Sequence, residues 1–207
     1  MMKKHTVLYG IIILLLFFCF PEVIISSSTS YYFRTLGIND GLSQSTVNAI
    51  LQDQKGFMWI GTKDGLNQYD GQECRVFQKE NSSLGNNFIT ALYEDCEGYI
   101  WVGTDAGVYI YNPVQEAFQF LDTEIASSGE KITRAVTWIT SDSQNNIWIS
   151  VDNQGLFCYN RGKKNLTKVV SCGESGIANV THFWFYAGQL WIARYEDNLY
   201  FSKDNSS

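Results

Sequence analysis

A tryptophan set in the same short apolar strand recurs four times, as Trp59, Trp101, Trp148 and Trp191, at steps of 42, 47 and 43 residues. The four copies read GFMWIGTKDGLNQYDG from Gly56, GYIWVGTDAGVYIYN from Gly98, NNIWISVDNQGLFCYN from Asn145 and GQLWIARYEDNLYFS from Gly188. This period is too long for a helix pair. It suits four short strands, the unit of a β-propeller blade.

Each copy is preceded by a segment rich in β-branched and aromatic residues: VNAILQD from Val47, ITALYED from Ile89, VTWITSD from Val136 and VTHFWFY from Val180. In the first three copies an aspartate (Asp53, Asp95, Asp142) stands six residues before the tryptophan. A carboxylate there accepts backbone N–H groups of the intervening turn, and Gly56 and Gly98 supply positive φ. The next turn pivots on Gly65, Gly107 and Gly155. Asn198 replaces glycine in the fourth copy and keeps tolerance of the left-handed region. ECRVFQ, AFQFLD and NLTKVV, from Glu73, Ala117 and Asn165, have the mixed polarity of edge strands.

The expected fold is therefore all-β, a propeller of four-stranded antiparallel blades. The blades fall at about residues 46–80, 88–123, 134–171 and 179–207, the last without an outer strand. Residues 31–36 resemble an outer strand lacking a blade of its own. Two arrangements stay open: a four-bladed ring closed by 31–36, or part of a larger ring.

Composition bounds the setting. Of 207 residues, 45% are apolar and only two are proline, which excludes a disordered chain and leaves about one globular domain. Lys3 and Lys4 precede an apolar run over 7–20 and then Pro21, Glu22 and small residues to 30, the layout of a signal peptide over 1–30. The export this implies is to the periplasm, with membrane anchoring by residues 7–25 as the alternative. The net charge is −6, which disfavours nucleic acid as a partner. RGKK from Arg161 reads as a solvated loop. Beyond the leader stand Cys74, Cys96, Cys158 and Cys172, which an oxidising compartment permits to pair in three ways or leaves as thiols. Their spacing does not suit zinc, and no cofactor is expected.

The stretch from Tyr31 to Gly71 resembles the start of the periplasmic sensor region of hybrid two-component systems, membrane histidine kinases that detect polysaccharide fragments. DGLS from Asp40, the pattern QD..GFMWIGT..GLN.YDG and the weaker later copies carry the likeness, over residues 31 to about 201. The resemblance implies two larger propellers followed by a β-sandwich, a membrane helix and a kinase core. None of those later parts is in this sequence. His5 and His182 do not sit in a phospho-acceptor context, so the chain is expected to supply a truncated sensing end.

Catalysis is not expected. The repeated carboxylates Asp53, Asp95 and Asp142 sit one per blade, whereas glycosidic acid–base work needs two converging about 5–9.5 Å apart. CGESG from Cys172 lacks the strand–turn–helix setting of a nucleophile. Ligands of propellers gather where inner strands enter the central funnel. Aligning those strands places Ala49, Ala91, Trp138 and His182 at one position, with Arg134 and Asn179 nearby, so Arg134, Trp138, Asn179 and His182 are the candidate ligand residues. A flat aromatic rim suits the apolar face of a sugar; the alternative is that Trp138 packs between blades. The expected function is ligand sensing, with an oligosaccharide as ligand and the rest of a membrane sensor kinase, or a homodimer partner, receiving the signal. A protein-interaction scaffold and a carbohydrate-active enzyme are the other classes.

Overall fold

The computed structural model describes residues 31–171, 180–186, 189–194 and 199–201. Among the described residues, fifteen strands form four antiparallel sheets in simple chain order. Blade one comprises β1 (Val47–Gln52), β2 (Met58–Thr62), β3 (Gly65–Tyr69) and β4 (Cys74–Phe77). Blade two comprises β5 (Ile89–Glu94), β6 (Ile100–Thr104), β7 (Gly107–Asn112) and β8 (Ala117–Phe120). Blade three comprises β9 (Val136–Ser141), β10 (Ile147–Val151), β11 (Gly155–Asn160) and β12 (Asn165–Ser171). Blade four has three strands, β13 (Val180–Tyr186), β14 (Gln189–Arg194) and β15 (Leu199–Phe201). The expected all-β fold of antiparallel four-stranded blades is thus formed.

Residues 1–35 and 36–207 make two separate compact units. Within the first, residues 31–35 carry no strand pairing, and Tyr31, Tyr32 and Phe33 are exposed. The leader over 1–30 lies outside the described residues, as do Cys172, Asn179, Gly188 and Asn198.

The aspartates hold the blades' first turns and do more besides. Asp53 Oδ1 accepts the backbone N–H groups of Lys55 and Phe57, each at 2.9 Å, while Oδ2 accepts the Trp59 indole N–H at 2.8 Å. Asp95 repeats the pattern with Glu97, Tyr99 and the Trp101 indole, and Asp142 with Gln144, Asn146 and the Trp148 indole. One carboxylate thereby shapes the turn and aims the ring. Gly56 and Gly98 take positive φ as expected, and Asn145 takes the same place in blade three at φ 61°.

In the first three blades the tryptophan projects from the front face of its blade onto the back face of the next. Trp59 meets Tyr111 at 5.0 Å between ring centroids, Trp101 meets Tyr159 at 5.5 Å and Trp148 meets Phe185 at 5.0 Å. Trp59 and Trp101 are buried, and each such ring contributes several kcal/mol through apolar burial and tilted aromatic contact (about 3 kcal/mol). Trp191 stacks on Trp184 of its own sheet at 6.2 Å. Beside the tryptophans the blades touch backbone to side chain. A Cβ on Gly61 would lie 2.6 Å from Ile89 of blade two, and one on Gly103 2.7 Å from Val136 of blade three. The 47-residue step has its own cause: the longer connection between β8 and β9 buries Ile125 and Ile132, and Ile125 bridges to Leu166 of β12.

Blades one and four do not cover each other. Ile50 on the back of blade one is 63% exposed and Trp184 on the front of blade four 43%, so the described blades form an open arc.

Two measurements check this account. Asp95→Ala orphans the buried Trp101 indole N–H and two backbone N–H groups, and urea unfolding is expected to show a loss of about 3 kcal/mol or more. Gly107→Ala, at φ 112° and with its new Cβ 2.7 Å from the Ile132 carbonyl, is expected to cost about 2–3 kcal/mol. Gly56→Ala, with open space around it, is expected to cost only the backbone strain, about 1 kcal/mol.

Candidate functional site

The inner strands β1, β5, β9 and β13 each begin with the same irregularity. Register slips between Val47 and Ala49, Ile89 and Ala91, Ser150 and Val151 (opposite Val136 and Trp138), and Val180 and His182. The bulged residue is Asn48, Thr90, Thr137 or Thr181, and a bulge re-aims the side chain that follows it. Asn48 Nδ2 donates to the Ile89 carbonyl of the next blade at 2.9 Å, and Thr137 Oγ1 to the Val180 carbonyl at 3.1 Å. In blades one and three the bulge therefore links neighbours while setting the next residue on the front face.

That next residue is Ala49, Ala91, Trp138 or His182, opposite Gly61, Gly103, Ser150 and Ala193 respectively. The expected equivalence of the four positions holds in the observed register. At the first two, small side chains let the sheets close. At the third, Trp138 replaces alanine and Ser150 replaces glycine. Ser150 Oγ donates to the Val180 carbonyl at 3.0 Å, so a polar contact takes the place of the tight apolar one.

Trp138 is 38% exposed, and its ring meets that of exposed His182 at 4.7 Å between centroids and 57° between planes. Arg134 is exposed in the connection just ahead of β9. The structure thus brings Trp138 and His182 together across the seam between blades three and four, with Arg134 on the segment leading into it. Asn179 lies outside the described residues.

The larger clefts are elsewhere, at the opposite ends of the strands. One, of about 520 Å³, lies between blades one and two and is lined by Asp53, Trp59, Arg75, Glu94 and Glu116 among others. A second, of about 490 Å³, lies between blades two and three beside Asp95, Trp101, Tyr159 and Arg161. Their polar groups already serve the fold. Arg75 pairs with Glu116 at 2.7 Å, and Arg161 pairs with Glu97 at 2.6 Å and approaches Asp95 at 3.5 Å. Size alone favours these clefts, but their carboxylates are spent on turns, indoles and ion pairs, whereas the Trp138–His182 rings present open faces.

Arg161 corrects the expectation of a solvated loop for its segment. Lys163 and Lys164 are exposed, but the Arg161 side chain is 19% exposed and ties blade three to blade two. The sequence offered no sign of this, since its partners lie more than sixty residues away.

Burial pushes the Glu94 carboxyl above its ordinary range, with the carboxylates of Asp53 and Asp95 adding to this and the N–H of Gln54 opposing. Asp142 lies below its ordinary 3.8: burial pushes it up, but hydrogen bonds from the Trp148 indole and from Asn146 and Gln144 outweigh that. Cys74, Cys96 and Cys158 are free thiols. Burial, then the charge of Asp142, pushes Cys158 up to about 11, and burial likewise raises Cys74, so both remain protonated and poorly nucleophilic at neutral pH. Among the described residues no cluster of histidine, cysteine, aspartate and glutamate could hold a metal, and no helix is long and apolar enough to cross a membrane.

Residues 41–64 and 83–106 match the family described as two component regulator propeller. Each matched stretch begins ahead of an inner strand and ends in the turn after the tryptophan strand. The first halves of blades one and two are thus similar to two component regulator propeller repeats. Over 69 residues, a third of this chain, it is 35% identical to Histidine kinase P4 of Formosa agariphila, and the match covers 5% of that protein. Its fold is similar to the extracellular domain of a protein named as a hybrid two component system of B. thetaiotaomicron, with a TM-score of 0.69 and 27% identity over 83% of this chain and 25% of that one. A second such domain from the same organism gives a TM-score of 0.64 at 20% identity, over 79% of this chain and 21% of that one. The chain therefore spans a quarter or less of the length of these relatives.

Two substitutions separate rim from core. Trp101→Ala is expected to cost about 3–5 kcal/mol as a buried aromatic truncation, and Trp138→Ala less than about 1 kcal/mol as a surface change, both by urea unfolding. Asp142→Asn gives the pH test. Because the folded-state value of Asp142 is depressed, its contribution is complete above the ordinary value of 3.8 and is lost below it, as pH falls through the lower folded-state value. The stability gap between wild type and Asp142→Asn is expected to be widest near neutrality and to close in acid.

Proposed function

We propose that this chain is an extracytoplasmic, ligand-sensing propeller segment of a two-component signalling protein, that it is non-catalytic, and that its ligands are oligosaccharides bound at the rim of Arg134, Trp138, Asn179 and His182. The repeats and the likeness to extracellular domains of two component systems support the sensing role. The Trp138–His182 pair carries the choice of site and ligand. Two rings meet across a seam where the first two blades have only alanine, and they stay exposed. Aromatic faces of this kind pack against the C–H surface of a sugar while the guanidinium of Arg134 offers donors to hydroxyl groups. The bound sugar would span two blades, and the tie between their relative position and ligand occupancy is the form in which a signal reaches the rest of a membrane sensor kinase.

Isothermal titration of the chain with a panel of oligosaccharides tests this reading. Saturable binding without product is expected, weakened by at least about tenfold, or 1.4 kcal/mol, in Trp138→Ala and in His182→Ala. Absence of saturable binding across the panel, or binding unaffected by both substitutions, would refute it. Release of cleaved sugar would replace it with a catalytic function.

A further inference from the structure

The seam between blades three and four departs from the first two seams in one layer, and that layer lies beside the exposed rings. In the first two seams the residue two places after the tryptophan is Gly61 or Gly103. Each lies close against Ile89 or Val136, the first residue of the next inner strand. Val180 holds that place at the start of β13, but it meets Ser150 where the other seams have glycine. The Ser150 hydroxyl donates to the Val180 carbonyl at 3.0 Å, and the Thr137 hydroxyl reaches the same carbonyl at 3.1 Å. Ser150 and Val180 are both buried, where a hydrogen bond is stronger than in water.

These groups adjoin the two rings. Thr137 immediately precedes Trp138, and Ser150 stands opposite Trp138 in the register of β9 and β10. Val180 stands two residues before His182, with the register slip of β13 between them. The two bonds therefore run from the residues beside Trp138 to the point from which the chain reaches His182. The rings themselves are in contact, at 4.7 Å between centroids and 57° between planes, and such a contact depends on both separation and angle.

We propose that Ser150 and Thr137 are positioning residues for this ring pair. Their shared grip on the Val180 carbonyl fixes the spacing and tilt of Trp138 and His182, and so the surface they offer to a ligand. Trp148 against Phe185, at 5.0 Å, fastens the other end of the same seam. Loss of the two hydroxyls thus loosens the ring end and leaves the blades joined. The consequence for binding rests on the reading of Trp138 and His182 as the sugar site, whereas the consequence for the rings stands without it.

Proton magnetic resonance of the full chain tests this. The sequence has two histidines, His5 and His182, so the carbon-bound ring protons of His182 are assigned by their loss in His182→Ala. Their displacement by the indole is the difference between wild type and Trp138→Ala at constant pH. Ser150→Ala and Thr137→Val are each expected to lose part of that displacement, and together most of it, with unchanged far-ultraviolet circular dichroism. Thr137→Ser keeps a hydroxyl and is expected to keep the displacement. Titration with the oligosaccharide panel is expected to show the double variant binding at least about fivefold more weakly, as for one net hydrogen bond. A double variant whose His182 protons stay at their wild-type positions overturns the proposal, as does a Thr137→Ser that shifts as far as Thr137→Val. A wild type that binds no sugar while the expected shifts occur upholds the positioning role and refutes the sugar reading.

Discussion

One carboxylate with at least three hydrogen bonds governs each of the first three blades. Its first oxygen gathers two backbone N–H groups and closes the turn between the inner and second strands. Its second holds the indole N–H of the tryptophan six residues on. Turn geometry and ring direction are therefore a single constraint, since the indole cannot swing without giving up a charge-assisted bond in a partly or fully buried setting. A tryptophan aimed in this way faces the next sheet, and the stacking of blade on blade follows.

From that constraint the assembly becomes nearly one-dimensional. Blades meet through the tryptophan on an aromatic partner at the turn end and the close approach at Gly61, Gly103 or Ser150 midway, and in the first and third seams also through a bulged inner residue, Asn48 or Thr137, reaching a neighbouring carbonyl at the other end. Stability in such stacks is close to a sum of unit and nearest-neighbour terms. The arginines Arg75 and Arg161 add ion pairs across two seams. The Arg75–Glu116 pair is solvent-exposed and contributes little. Arg161 is better sheltered and serves also to neutralise the carboxylates of blade two.

Much of this was legible in the sequence because the repeat is local. Four tryptophans at nearly constant spacing, glycines at the pivots and alternating inner segments report on contacts within some forty residues, and the strands formed where those signals stood. The alignment of Ala49, Ala91, Trp138 and His182 was likewise recoverable, since register within a hairpin follows from the turn. What escaped notice depends on side-chain direction or on the neighbouring blade. The aspartates read as turn caps, which they are, but their grip on the indole depends on rotamers that spacing does not specify. Arg161 looked like one more charge in a basic loop until folding brought Asp95 and Glu97 beside it. The small residues two positions after each tryptophan, Gly61 and Gly103, were visible in the repeated IGT and VGT strings, but their meaning depends on Ile89 and Val136 of the following sheets.

The replacement of glycine by Ser150 has a mechanical consequence. The first two seams are locked midway by hydrocarbon pressed against bare backbone, a contact with no substitute at longer range. The third is fastened there by hydroxyl groups of Ser150 and Thr137 converging on the Val180 carbonyl. This joint is therefore held midway by directional polar contacts rather than by close apolar packing. It is also the joint over which Trp138 and His182 meet.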